Sequence, residues 1–236
     1  MDKKILESLN SSRVDMNTRS PYFRTVIYGD FGTGKTTFAT SDPSKKTLVI
    51  DSSEGFVVLK DKSNIDVMEY KGLSQISAVA QAIEDKEEGF NYDVVVVDEL
   101  STIYQLDLEN VVSARDSSKN SRDDVIPEQR DYMASQNRVM KAVNSLFRAP
   151  VSVILLAHER RNKDDATGIV MVESDFAPRL SKEINRTLHV LGRLSVDKQG
   201  NRVLTVHPVK GVQAKTRLKI NDNPTLGEIL NYQGDK

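Results

Sequence analysis

The sequence predicts an α/β fold, a mainly parallel sheet flanked by helices with an antiparallel extension on its C-terminal side. Three observations carry this. Short apolar strands occur at Val94 to Val97 and, broken only by Ser152, at Val151 to Ala157, helix-period segments such as Leu73 to Lys86 separate the strands, and the pattern turns to alternating strands after residue 187. Strands that are apolar on both faces and separated by helices belong to a parallel sheet covered on both sides. A length of 236 residues suits one elaborated domain. The expected division is an N-terminal segment, residues 1–20, followed by a domain over 21–236.

The elements follow in order. Tyr22 to Tyr28 is rich in β-branched and aromatic residues and stops at Gly29, so it reads as the first strand. Thr47 to Ile50 and Ile65 to Tyr70 are the second and third, and Val94 to Val97 is the fourth. A helix-period segment from about Pro127 to Ala149 precedes the fifth, Val151 to Ala157. LHVLGRLSV and RVLTVHPV, joined by DKQGN, suit a hairpin. Two polar stretches, Ser113 to Ile126 and Glu159 to Ser174, read as long loops, a class that is often functional.

Composition narrows the chemistry. The chain has no Cys, and its three His are scattered, which removes disulfides, thiolate catalysis and Cys-ligated zinc. Any metal should have oxygen ligands. No apolar run approaches the roughly 20 residues of a bilayer crossing, so no membrane partner is expected. MDKKILESLN lacks the apolar middle of a secretory signal, which points to a cytoplasmic location. The net charge is −1, but it is unevenly spread. From Phe176 to Ile220 ten Lys or Arg face two acids, a local +8, which leaves −9 for the rest. Such asymmetry points to a polyanion partner or a complementary self-contact.

Between the first strand and a helical segment lies Gly29-Asp30-Phe31-Gly32-Thr33-Gly34-Lys35-Thr36, a match to G-x-x-x-x-G-K-[ST]. Its glycines allow backbone N–H groups to turn inward toward phosphate oxygens at a helix N-terminus. Lys35 is expected on the β and γ phosphates and the Thr36 hydroxyl in the Mg²⁺ shell, with Thr37 continuing the cradle. The expected cofactors are therefore ATP and Mg²⁺. Asp98, at the end of four consecutive valines, is the expected second metal anchor.

Hydrolysis also needs a carboxylate to orient or deprotonate water. Glu54, in VIDSSEG beyond the second strand, and Glu99, directly after Asp98, are the candidates. The reading favours Glu54, because a continued strand would turn Glu99 away from the metal. A GTPase is disfavoured. Asn162-Lys163-Asp164-Asp165 matches N-K-x-D, but it sits beyond the apolar strand, and no D-x-x-G follows Asp98. A small-molecule kinase with HERRNKDD as its lid is the other enzyme considered.

GDFGTGKTT, VIDSSEG, VVVVDEL, LLAHERR and AKTRLKI stand in the order and approximate spacing of a RecA-like P-loop NTPase core. The chain resembles, over about residues 21 to 220, the compact phage-encoded RecA-like ATPases of the Sak type, associated with single-strand annealing and recombination. The resemblance implies an ATP hydrolase that binds single-stranded DNA as a homo-oligomer, ring or filament, in a bacterial host cell, with a single-strand binding protein as a further partner. It places Glu54 at the catalytic glutamate, although one extra residue precedes it. His158 falls at a polar sensor between the γ-phosphate and a DNA loop. Lys215 and Arg217 match a K-x-R pair that relatives insert into a neighbour's site, and positions 215, 217 and 219 of a strand share one face. A DnaB-like helicase or replication accessory ATPase is the alternative within enzymes. A scaffold that holds ATP with little turnover is the alternative outside them.

Overall fold

The computed structural model describes residues 22–116, 126–163, 165 and 168–233. The N-terminal segment 1–20 and the middle of the first long polar stretch, residues 117–125, lie outside them.

Six parallel strands form the body of the sheet. In chain order they are β1 (Arg24–Gly29), β2 (Thr47–Asp51), β3 (Ile65–Glu69), β4 (Val94–Asp98), β5 (Ser152–Lys163) and β7 (Val190–Val196). The spatial order runs β3-β2-β4-β5-β1-β7, and β8 (Arg202–Thr205) is added antiparallel beyond β7. β6 (Val170–Ser174) pairs antiparallel with the outer half of β5, and β9 (Lys215–Thr216) with the start of β7. β5 thus separates β1, which leads into the phosphate loop, from β4, which delivers Asp98. All three open onto the same edge of the sheet.

Alternate residues of each central strand enter two cores. Val26, Val95, Val97, Val153 and Leu155 face α2 (Leu73–Glu84), α3 (Leu100–Asp116), α4 (Gln129–Arg148) and α5 (Pro178–Thr187). Ile27, Val49, Val96, Ile154 and Leu156 face α1 (Lys35–Ala39), the 3₁₀ turn Gly55–Leu59 and α6 (Leu226–Leu230). The apolar strands are therefore explained by burial on both faces. α4 starts with a reciprocal cap in which the Glu128 N–H donates to Asp131.

Two expectations change. Glu159 to Ser174 does not form one long loop. β5 runs on through the charged residues Glu159 to Lys163 and folds back as β6, with Glu159 opposite Ser174 and Lys163 opposite Val170. The pairing is possible because Glu173 holds Arg160 and Asn162 across the ladder, so polar groups that break an apolar pattern satisfy one another. The stretch from Ser113 begins as helix, since α3 continues to Asp116. Among the described residues no helix is long and apolar enough to cross a membrane.

Candidate active site

β1 ends at Gly29, and the next five residues fold over the sheet edge. Gly32 and Gly34 hold φ of 71° and 87°, the left-handed region where a side chain is strained. Lys35 is buried, and its Nζ donates to the carbonyls of Gly29 at 3.2 Å and Asp30 at 3.3 Å. The Thr33 hydroxyl closes the loop by donating to the Asp30 carbonyl at 2.9 Å. Asp30 and Phe31 form the exposed tip, and Thr37 is exposed one turn on.

The carboxylates gather beneath the loop. The Thr36 hydroxyl donates to Asp98 Oδ2 at 2.6 Å. Burial raises the Asp98 pKa above the ordinary carboxylate range, with Thr36 acting against it. Asp51, at the end of the neighbouring β2, is held by the N–H groups of Ser53 and Phe56. Thr36 and Asp98 form a hydroxyl–carboxylate pair of hard oxygen donors. Among the described residues no three His, Asp or Glu are grouped to hold a metal by themselves. That donor set fits Mg²⁺, which typically takes one or two carboxylates and completes its shell with substrate phosphates and water.

Glu99 is drawn into the same space. Strand β4 stops at Asp98 and α3 begins at Leu100, so the chain turns at once and carries the Glu99 side chain inward. Glu99 is only 4% exposed. Its Oε2 lies 2.6 Å from His158 Nε2, and its Oε1 lies 3.8 Å from Lys35 Nζ without a hydrogen-bond partner. Burial pushes its pKa up to about 7, although Lys35 pulls it down. His158 shifts the other way, lowered by burial and then by Lys35. The two side chains share one short hydrogen bond between the imidazole and the carboxyl group. The Ser101 hydroxyl accepts the His158 backbone N–H at 3.1 Å, and the Phe31 ring lies against the imidazole at 4.1 Å between centroids.

The family model for the AAA domain, AAA_24, matches residues 22–218. The chain belongs to that family. No curated protein matches the chain. As an AAA domain it is a P-loop ATPase-type domain, which implies nucleotide binding. The match begins at the first described residue, before β1, and extends past β9, so the antiparallel strands belong to the AAA domain as well.

The remaining expected residues fall elsewhere. Glu54 stands exposed at φ 57° before the 3₁₀ turn, and its carboxylate makes no hydrogen bond or ion pair among the described residues. Of the two glutamates, Glu99 lies 3.8 Å from Lys35, while Glu54 is exposed and precedes Gly55, whose Cβ position would be 3.9 Å from Asp98 Oδ2. The strand continuation that favoured Glu54 does not occur. Lys215 and Arg217 lie at the opposite end of the sheet. Lys215 donates to the carbonyl of Asn185 and Arg217 to that of Arg186, both at 2.5 Å, at the C-terminus of α5. The Arg217 N–H pairs with His189, which adjoins Arg24 at the foot of β1. At about 3.3 Å per residue this is roughly 17 Å below Gly29. The expected extended face over 215, 217 and 219 is not formed, since β9 ends at Thr216.

Three contributors were not readable as site residues. Ser101 orients β5 at His158. Glu159, buried, draws Arg193 and Arg161 to the loop's flank, with Arg161 also 3.8 Å from Asp30. Arg202 donates to the Thr33 carbonyl, 169 residues earlier in the chain. Only the excess of cations after Phe176 hinted at Arg193 and Arg202.

Proposed function

We propose that this AAA domain is a Mg²⁺-dependent ATP hydrolase that works as a homo-oligomer on single-stranded DNA, in phage recombination or single-strand annealing. The observation that carries the hydrolytic reading is Glu99, a buried carboxylate with one oxygen bonded to His158 and the other unbonded beside Lys35.

Lys35 leaves its two loop carbonyls for the β and γ phosphates, where a full positive charge offsets developing negative charge. Thr36 and Asp98 would hold the Mg²⁺, which would supply neutralisation of phosphate charge. Glu99 Oε1 accepts a proton from water as the water oxygen bonds to the γ-phosphorus and the bond to the β-bridging oxygen breaks. His158, fixed by Ser101, keeps the other carboxylate oxygen in place and joins this chemistry to the β5–β6 hairpin.

Support for the DNA and assembly parts is of a different kind. It consists of the local +8 between Phe176 and Ile220, the resemblance in motif order, and a K-x-R pair set too far from its own loop to act there. ATP turnover measured with and without single-stranded DNA, beside Glu99→Gln, tests the reading. Stimulation by DNA with loss in the variant is expected. Turnover indifferent to DNA removes the DNA part, and an active Glu99→Gln removes the assigned base.

A further inference from the structure

The C-terminal strand pair β7–β8 backs directly onto the phosphate loop. A Cβ on Gly29 would lie 2.2 Å from the Leu194 carbonyl oxygen, and one on Gly34 would lie 2.4 Å from Arg202 Nε and 3.1 Å from its Nη2. The guanidinium thus occupies the space that a side chain at position 34 would fill. Its Nε is tied to the Thr33 carbonyl at 3.0 Å.

Arg202 differs from the other arginines at this edge. Arg193 and Arg161 both end on Glu159, which is buried and shared between them. Arg202 has no carboxylate within ion-pair distance among the described residues, and its one hydrogen bond uses Nε alone. Both terminal nitrogens, and an uncompensated positive charge, therefore remain beside the loop that receives phosphate. A guanidinium presents a planar fork that suits a phosphate oxygen pair, and anchoring through Nε sets the plane of that fork in advance.

We propose that Arg202 is a nucleotide-binding residue whose terminal nitrogens take a phosphate oxygen of the nucleotide at the Gly34 end of the loop. This rests on the nucleotide reading of the loop and adds a contact that the G-x-x-x-x-G-K-T motif does not contain. It gives the antiparallel extension a place in the site, since an element about 170 residues downstream supplies one of the charges that hold the ligand. It also gives Gly34 two reasons to lack a side chain, its left-handed φ and the guanidinium against it.

The test compares Arg202→Ala and Arg202→Lys with the unchanged protein, using a fluorescent ADP analogue as reporter and unlabelled ADP and inorganic pyrophosphate as competitors. Arg202→Ala should weaken both competitors by roughly ten- to a hundredfold, the range of one charge-assisted hydrogen bond. Arg202→Lys should regain part of the loss, because a charge returns without the fork. Unchanged affinity for both competitors would reduce Arg202 to a brace of the loop and overturn the proposal. Loss for ADP with pyrophosphate unchanged would move the contact to the base or sugar and overturn it equally. Thermal melting without ligand shows whether each variant is folded. If Arg202→Ala is not, Arg202→Lys decides alone, since full affinity for pyrophosphate in a folded lysine variant rejects the need for a fork. Failure of the nucleotide reading looks different, because the unchanged protein would then bind neither ligand.

Discussion

At the two ends of the sheet, the same residue types serve opposite purposes. At the edge where β1 and β4 end, charges have incomplete partners. Buried Lys35 has loop carbonyls and one Glu99 oxygen at 3.8 Å, buried Glu99 keeps that oxygen without a hydrogen bond, and exposed Arg202 has no carboxylate. At the other edge the cations are spent on helix ends. Arg24 donates to the Phe147 carbonyl at the end of α4, while Lys215 and Arg217 donate to the last carbonyls of α5. A helix C-terminus offers unsatisfied carbonyls and partial negative charge, so a cation there is satisfied without a ligand. Counting Lys and Arg along the chain cannot separate these uses. What distinguishes them is whether the cation lies against a helix end or against the phosphate loop.

The strongest way to break this contrast lies with Arg217. If it reaches the site of a neighbouring copy, Arg217→Ala should lower turnover by about 10³- to 10⁵-fold, the span for arginine fingers, and leave ATP affinity of the protomer unchanged. Mixing it with Lys35→Ala should restore activity, because some interfaces then pair an intact loop with an intact finger. A lowered melting temperature with turnover intact would confine the lower cations to capping and make the contrast complete.

Glu99→Gln comes next. Loss of a general base costs about 10²- to 10⁴-fold, so turnover should fall by that factor while calorimetry records ATP binding still present. Glu54→Gln, by the same measurements, should behave as the unchanged protein. Reversal of the two results would return the base to Glu54. Lys35→Ala should follow, with a roughly ten- to hundredfold loss of ATP affinity, the range for a charged hydrogen bond to phosphate. Equal affinity in calorimetry would mean that the phosphates sit elsewhere.

These variants also mark what the sequence makes legible. The strands and the loop at the end of β1 could be read because apolar runs and glycine spacing are local signals. Asp98 could be read because four valines point to it. Glu99 could be read as a candidate but its direction could not, since that depends on β4 ending one residue before it, and element ends are the least determined part of a pattern. The β5–β6 hairpin was hidden because Glu159 to Lys163 are polar on both faces, and their partners run from Val170 to Ser174, across a polar stretch. α3 has buried Leu100, Ile103, Tyr104, Leu108 and Val112 at helical spacing, yet it sits between the metal carboxylate and a polar stretch that drew the eye to loops. Arg202 and the loop meet only in three dimensions, and no spacing rule connects them.

The smallest effect is expected at the foot of the sheet. His189 Nδ1 accepts the Arg24 N–H at 3.0 Å, so the ring must be neutral there. Burial, followed by Arg24, Arg217 and Lys215, lowers its pKa below the usual 6.5. As pH falls below about 6.5 the unfolded chain takes up a proton that the folded one refuses, so stability present above that value declines toward the lower folded pKa. Urea midpoints measured from pH 7.5 to 5 should therefore drop. In His189→Asn the amide oxygen can accept the same N–H without titrating, and the His189 part of that slope should vanish. An unaltered slope would place the acid sensitivity elsewhere.

The position of β1 has a consequence for synthesis. It is the earliest described strand to leave the ribosome, yet its two neighbours are β5, which starts at Ser152, and β7, which starts at Val190. Until those segments have emerged, Val26, Ile27 and Tyr28 have no ladder on either side, and the loop after them lacks the Leu194 and Arg202 contacts. Contacts this distant in sequence form late and slowly. The nascent chain therefore exposes an apolar strand until β5 and β7 have been made, a hazard that early strands paired with their immediate successors avoid. The phosphate loop gains its Leu194 and Arg202 contacts only once those downstream residues are in place, which ties its final shape to completed folding.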